Sequence, residues 1–243
     1  MNPTNADVAD ILIKRLSQFS VLSDRDRFAI AKVSFTIREV EADQDIVRQG
    51  GRPLFCPFML EGFACRFKLL PDGQRQIIAF HVAGDFSDLA SLLVDRLDYG
   101  IMTVTAARIV ALPYPTILEW MATQPGLARA FWSVGQLGNA QLGEWVVSAG
   151  RRTAQQRTAH LLCELVERMR HAGATGDTMS FPFTQAELAD ALGLTPVHVG
   201  RMLQSLKAER TIDISNGLLS ILNWRELKQA ASFDPSYLHL RPR

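Results

Sequence analysis

One stretch concentrates residues whose types and spacing suit recognition of a polar surface: TQAELADALGLTPVHVGRMLQSLKAERTIDISNGLLSI, residues 184–221. Thr184 and Glu187 form a capping box that opens a two-turn helix, which Gly193 can end in the left-handed conformation. Thr195 caps a second helix, with Pro196 at its first position, where a missing N–H is harmless. On that helix Val199, Met202, Leu203 and Leu206 share one face, and Val197, Arg201, Gln204 and Ala208 lie opposite. The outer face offers hydrogen-bonding groups of a size suited to base edges. TIDI and LLSI then flank Asn216-Gly217, a strong hairpin signal. Helix, turn, helix and hairpin predict a winged helix-turn-helix, in which Ala189, Gly193 and Val199 supply a small residue, a positive φ and an apolar contact. The competing reading is a surface α-hairpin with no role on DNA. Five spacing requirements met together favour the first.

Covalent and metal chemistry find no comparable pattern. The chain has no Ser/His/Asp order with a nucleophile elbow, no P-loop and no HExxH. Its scattered carboxylates, such as Asp85 and Asp88, read as loop caps and turns. Cys56, Cys65 and Cys163 form no CxxC, and an odd count makes a poor disulfide framework, so they are expected to be reduced and structural. No catalytic residue and no metal site are expected.

The elements that must position the recognition stretch follow from the rest of the chain. At 243 residues, two domains are expected, and 47% hydrophobic against 21% charged residues is enough to bury a real core. No stretch approaches the ~18–20 apolar residues of a membrane span, and the start, MNPTNADVADILIKRLSQ, is too polar for a signal peptide. A cytoplasmic protein is expected. The net charge of +1 argues against a whole-chain attraction to nucleic acid or membrane. It is an average: 14 basic and 16 acidic residues precede Arg151, and 12 basic and 9 acidic follow from there, net −2 and net +3.

Up to about residue 115, turn signals at Gly50-Gly51, Glu61-Gly62, Asp72-Gly73 and Gly84-Asp85 separate short apolar runs, the pattern of an antiparallel barrel or sandwich. ADILIKRLSQF and SDRDRFAIAKV before it look helical, the second capped by Ser23 with Asp26. The overall class is α+β. Gly126–Ala149 is a long helix on which Leu127, Phe131, Val134, Gly138, Leu142 and Trp145 spread over more than one stripe, so it needs two partners. Gly135, Gly138 and Gly143 each cost ~1 kcal/mol against alanine in a helix interior, so either the helix breaks or something packs very close. A helix between its own β domain and a second subunit accounts for both features, and a plain core helix is the alternative. Arg151–His171 is a further helix, with Ala159, Leu162, Cys163, Val166 and Met169 inward and Arg151, Arg152, Arg157 and Arg168 largely off that face. HAGATGDTMS reads as a loop.

The strings RRTAQQRTAHLLCEL, LADALGLTPVHVGRMLQSL and WRELKQAASFDPSYL, in the order β-rich part, long helix, winged helix, resemble the Crp/Fnr superfamily of bacterial transcription regulators. The resemblance implies a cyclic-nucleotide-binding-like antiparallel jelly roll with N-terminal helices over 1–122, a dimerisation helix over 123–150 and a winged helix-turn-helix DNA-binding domain over 151–243. It further implies a homodimer on a roughly palindromic duplex, with the helix of about 195–208 in the major groove, half-sites ~34 Å apart and RNA polymerase as a partner. Arg201 matches the family's base-reading arginine, able to grip guanine O6 and N7. Gln204 shares its face, and Val197 stands where many members carry glutamate, so the sequence read differs. Thr195, His198, Gln185 and Lys207 are candidates for phosphate contacts. In the effector region Gly84, Asp85 and Phe86 fit the family's turn, with Asp88, Arg96 and Tyr99 beside it. Tyr99-Gly100 stands where a phosphate-binding pair belongs, which argues against cyclic AMP, although Arg96 is near enough in sequence to substitute. An iron–sulfur cluster is disfavoured by the cysteine spacing. Haem stays open, with His81 and Met59 not singled out by spacing, and the cofactor is unknown. A sensor acting on a protein partner, its helix-turn-helix a mere scaffold, is the alternative function.

Overall fold

In the computed structural model, residues 3–52 and 54–240 are described, and helices begin where side chains satisfy the orphan N–H groups of a first turn. Helices α1 (Asn5–Ser17) and α2 (Asp24–Ala31) each open on a capping box, Thr4 with Asp7 and Ser23 with Asp26. Strands β1 (Thr36–Val40), β2 (Asp45–Val47), β3 (Phe55–Glu61), β4 (Ala64–Leu69), β5 (Arg75–His81), β6 (Gly100–Thr103) and β7 (Ala107–Pro113) follow. They form two sheets, ordered β1-β7-β3 and β2-β6-β4-β5. β7 runs antiparallel between β1 and β3, setting Val110 opposite both Ile37 and Phe58. Gly62 has φ +83, and a Cβ there would lie 2.5 Å from the Ala106 carbonyl oxygen, so only glycine makes this turn.

The chain divides into two compact units. One comprises His81–Asn139 with the described residues up to Arg66, and the other Ala140–Leu240 with Phe67–Phe80. In the first, the sheet side chains Cys56, Phe58, Val110 and Leu112 pack on Val8, Leu12 and Leu16 of α1. The same core takes Ile117 and Trp120 of α3 (Tyr114–Thr123) and Leu127, Ala130, Phe131 and Val134 of α4 (Pro125–Arg151). Full burial of each Val, Leu, Ile or Phe side chain among these stabilises the unit by about 1.5–3 kcal/mol. α4 continues unbroken for 27 residues, through Gly135, Gly138 and Gly143.

The second unit is built on α5 (Ala154–Ala172), whose buried Leu161, Leu162, Cys163, Leu165 and Val166 form its inner face. After it come β8 (Thr178–Ser180), α6 (Gln185–Leu192), α7 (Pro196–Ala208), β9 (Ile212–Ser215), β10 (Leu218–Ile221) and α8 (Trp224–Ala231), then a 3-10 turn at Pro235–Leu238. The small sheet is ordered β8-β10-β9. β8 corrects the expectation of a loop over HAGATGDTMS: Thr178–Ser180 pairs with Leu218–Ser220, a long-range partner that three residues cannot announce. Arg168 also departs from its expected place off the apolar face. It is buried, because Glu164 one turn earlier is buried and accepts from Arg168 Nη1 at 3.1 Å, from Trp145 Nε1 at 3.0 Å and from the Tyr237 hydroxyl at 2.8 Å. No helix among the described residues is long and apolar enough to cross a membrane.

Candidate nucleic-acid interface

The recognition stretch folds from its own capping chemistry. Thr184 accepts from Glu187 N at 3.1 Å while Glu187 Oε2 accepts from Thr184 N at 2.7 Å, which fixes the start of α6. Gly193 ends it at φ +61, and the Gly193 N–H donates back to Ala189 O. The Arg157 guanidinium reaches from α5 to the Leu192 carbonyl and, at 3.2 Å, to Ala149 O, placing a positive charge at the negative end of α6. Thr195 then accepts from His198 N at 3.2 Å and Pro196 opens α7. Val199, Leu203 and Leu206 are buried and anchor α7 within its unit. Asn216 and Gly217, at φ +52 and +71, turn β9 into β10.

This packing leaves one face of α7 open. Val197 is 64% exposed, Arg201 and Gln204 are exposed, and His198 is half-buried beside them. Arg201 makes no hydrogen bond or ion pair among the described residues, so its donor fork is free for an outside acceptor. Gln185, at the first position of α6, lays its amide against α7 at Gly200. Lys207 points elsewhere: its Nζ is 2.9 Å from Asp213 Oδ1 and donates to Ile214 O at 3.1 Å, tying α7 to β9. The hydrogen bonds from Lys207 hold the Asp213 carboxyl below the usual carboxylate range. The partners of Lys207 and Gly200 lie on other elements, which is why spacing along α7 did not reveal them.

A Crp-like helix-turn-helix domain matches residues 156–230, and a cyclic nucleotide-binding domain matches 37–124. The nitrogen fixation regulation protein FixK of Bradyrhizobium diazoefficiens is 32% identical over 168 residues, 68% of this chain and 69% of that protein. The chain belongs to the Crp/Fnr superfamily of transcription regulators. A probable transcriptional activator of Rhizobium leguminosarum bv. viciae is 28% identical over 74% of each chain. The fold of this Crp/Fnr regulator matches that of FixK2 from Bradyrhizobium japonicum with a TM-score of 0.75, at 21% identity, over 83% of this chain and all of that one. It is a DNA-binding transcription regulator, from a family of regulators and not of enzymes.

In the jelly roll of this Crp/Fnr regulator, the residues named for an effector pocket separate into four groups. Gly84 (φ +87) and Asp85 make the turn: Asp85 accepts from Val82 N at 2.9 Å and pairs with Arg15 at 3.5 Å. Phe86 packs on Phe58 and Phe131, with ring centroids 4.7 and 5.5 Å apart. Asp88 and Tyr99 meet in a buried polar cluster, where Asp88 accepts from the hydroxyls of Tyr99 and of Tyr114, the latter at 2.8 Å, and Ser91 lies 2.9 Å from Tyr99. Burial pushes the Asp88 carboxyl up, against the pull of those hydrogen bonds. Arg96 stands apart, exposed over Gly50. Sequence reasoning missed Arg66, whose guanidinium lies 4.9 Å over the Tyr99 ring and whose buried Nε has no hydrogen-bond partner. A lone arginine in a strand carries no local signal for that role.

The long helix α4 also sorts its residues by face. Leu127, Phe131 and Val134 are buried in their own unit, and Trp145 donates to Glu164 of α5, so these four do not face outward. Gly138 and Leu142 do. Trp132, Val146 and Val147 are exposed with Leu142, Gly138 is half-buried, and a Cβ on Gly135, Gly138 or Gly143 would meet nothing within 4 Å.

Proposed function

We propose that this regulator binds a roughly palindromic duplex as a homodimer and reads it with the open face of α7. The single observation that carries the reading is Arg201, exposed at the centre of that face with no internal partner, its fork suited to guanine O6 and N7. Val197 beside it offers apolar contact, as to a thymine methyl, and Gln204 a donor and an acceptor. Thr195 and His198 lie at the helix N-terminus, where backbone N–H groups favour phosphate. The unbroken, glycine-interrupted outer face of α4 supports the dimer: three open glycines weaken the helix unless a second helix approaches closely, and a copy of α4 supplies one. The jelly roll is read as a domain that does not take cyclic AMP. A buried Asp88 carboxyl already capped by two tyrosines is a poor neighbour for a cyclic phosphate. RNA polymerase is the protein partner the family implies, and the bacterial cytoplasm the compartment.

The reading is tested by mobility shift on the DNA upstream of the protein's own gene, with increasing non-specific competitor. Retention of one discrete complex is the expected result, and loss of all binding at the same competitor level as an unrelated duplex would refute it.

A further inference from the structure

Gly200 sits in the middle of α7, where glycine weakens a helix relative to alanine and no positive φ calls for it. Its neighbours on the helix surface are Val197, three residues before, and Gln204, four after, with Arg201 next in sequence. A Cβ at this position would lie 2.9 Å from Oε1, 3.3 Å from Cδ and 3.4 Å from Nε2 of Gln185. The amide of Gln185 therefore fills the notch that the missing side chain leaves. The open glycines of α4 present no such contact. Gln185 is exposed, belongs to α6, and its amide makes no hydrogen bond among the described residues. An exposed amide resting on a bare backbone, with donor and acceptor both unspent, lies at the edge of the reading surface.

We propose that Gly200 determines specificity as a positioning residue: by lacking a side chain it seats the Gln185 amide on the recognition helix, where that amide reads a base edge beside the Arg201 contact. A glutamine amide presents a donor and an acceptor that match adenine N6 and N7. The inference rests on α7 being the reading helix. It shifts Gln185 from a phosphate contact to a base contact, and it gives the reading surface one member supplied by the preceding helix.

The test uses full-length wild-type protein, Gly200→Ala, Gln185→Ala and the double variant, each taken through selection from randomised duplexes and competition titration. Because the crowded atoms are the free end of a flexible side chain, Gly200→Ala displaces the amide without disturbing the backbone, and its thermal midpoint should equal or exceed that of wild type. Both single variants should lose about 5- to 150-fold discrimination at the same base pair, the span of one bidentate contact. The double variant should lose no more than either. Unchanged preference in Gly200→Ala would overturn the proposal, as would a uniform weakening on every sequence by Gln185→Ala, the signature of a phosphate contact. A wild-type protein with no preferred sequence would remove the parent reading of α7, an outcome distinct from a preference that Gly200→Ala fails to shift.

Discussion

Arg201 and His160 mark two opposite fates of a basic side chain, one left open and one shut in. Arg201 has a free planar fork on an exposed face, so Arg201→Ala should cost about 1–3 kcal/mol of discrimination at one guanine position. Arg201→Lys should not restore it, because an ammonium lacks the fork. Competition titration against duplexes differing at that base pair checks both, and a lysine variant with wild-type preference would show that the guanidinium fork is not required. His160 is 2% exposed, 3.3 Å from Glu144 but not aligned for a hydrogen bond, with its ring against Tyr237 and Phe233. Burial first, then Arg152, push it down from 6.5 to about 4, with Glu144 pulling the other way. Between those two pH values the unfolded chain binds the proton and the native one does not, so stability is lost as pH falls through that window. The loss reaches about 3 kcal/mol and does not grow below it. Denaturant unfolding at pH 7 and pH 4.5 should show a larger acid loss in wild type than in His160→Gln, and equal losses would contradict it. Arg201 was legible from its place on a helix face, whereas the setting of His160 was not, since Glu144, Arg152 and Tyr237 lie 16, 8 and 77 positions away.

At the scale of elements, local chemistry carried the sequence reading far. Capping boxes, the left-handed Gly193 and the Asn216-Gly217 turn are decided within four residues, so the start and stop of α6, α7 and the β9–β10 hairpin were legible. Features decided across the fold were not: β8 exists through its pairing with β10, and Trp145 turns to Glu164 instead of outward. The double apolar stripe of α4 was legible, but the assignment of residues to its two faces was not, because that depends on which side the β sheets cover. The outer face now predicts its own test. Gly138→Leu improves helix propensity in the monomer while blocking close approach of a second helix. Sedimentation should therefore show a weaker dimer with undiminished helical circular dichroism. A dimer of unchanged affinity would place the interface elsewhere.

The whole molecule joins a net −2 segment to a net +3 segment that carries the reading helix. A modest positive excess in one DNA-binding unit makes doubling of contacts the route to affinity, and phosphate neutralisation makes that affinity fall steeply with salt. In the proposed homodimer, two copies of the DNA-binding unit would dictate the form of the target, two inverted half-sites about 10–10.5 base pairs between centres. Selection of full-length protein on randomised duplexes tests this most directly. The account predicts enrichment of an inverted repeat at that spacing, with a guanine in each half-site whose enrichment disappears in Arg201→Ala. Enrichment of a single unrepeated motif, or of none, would contradict it.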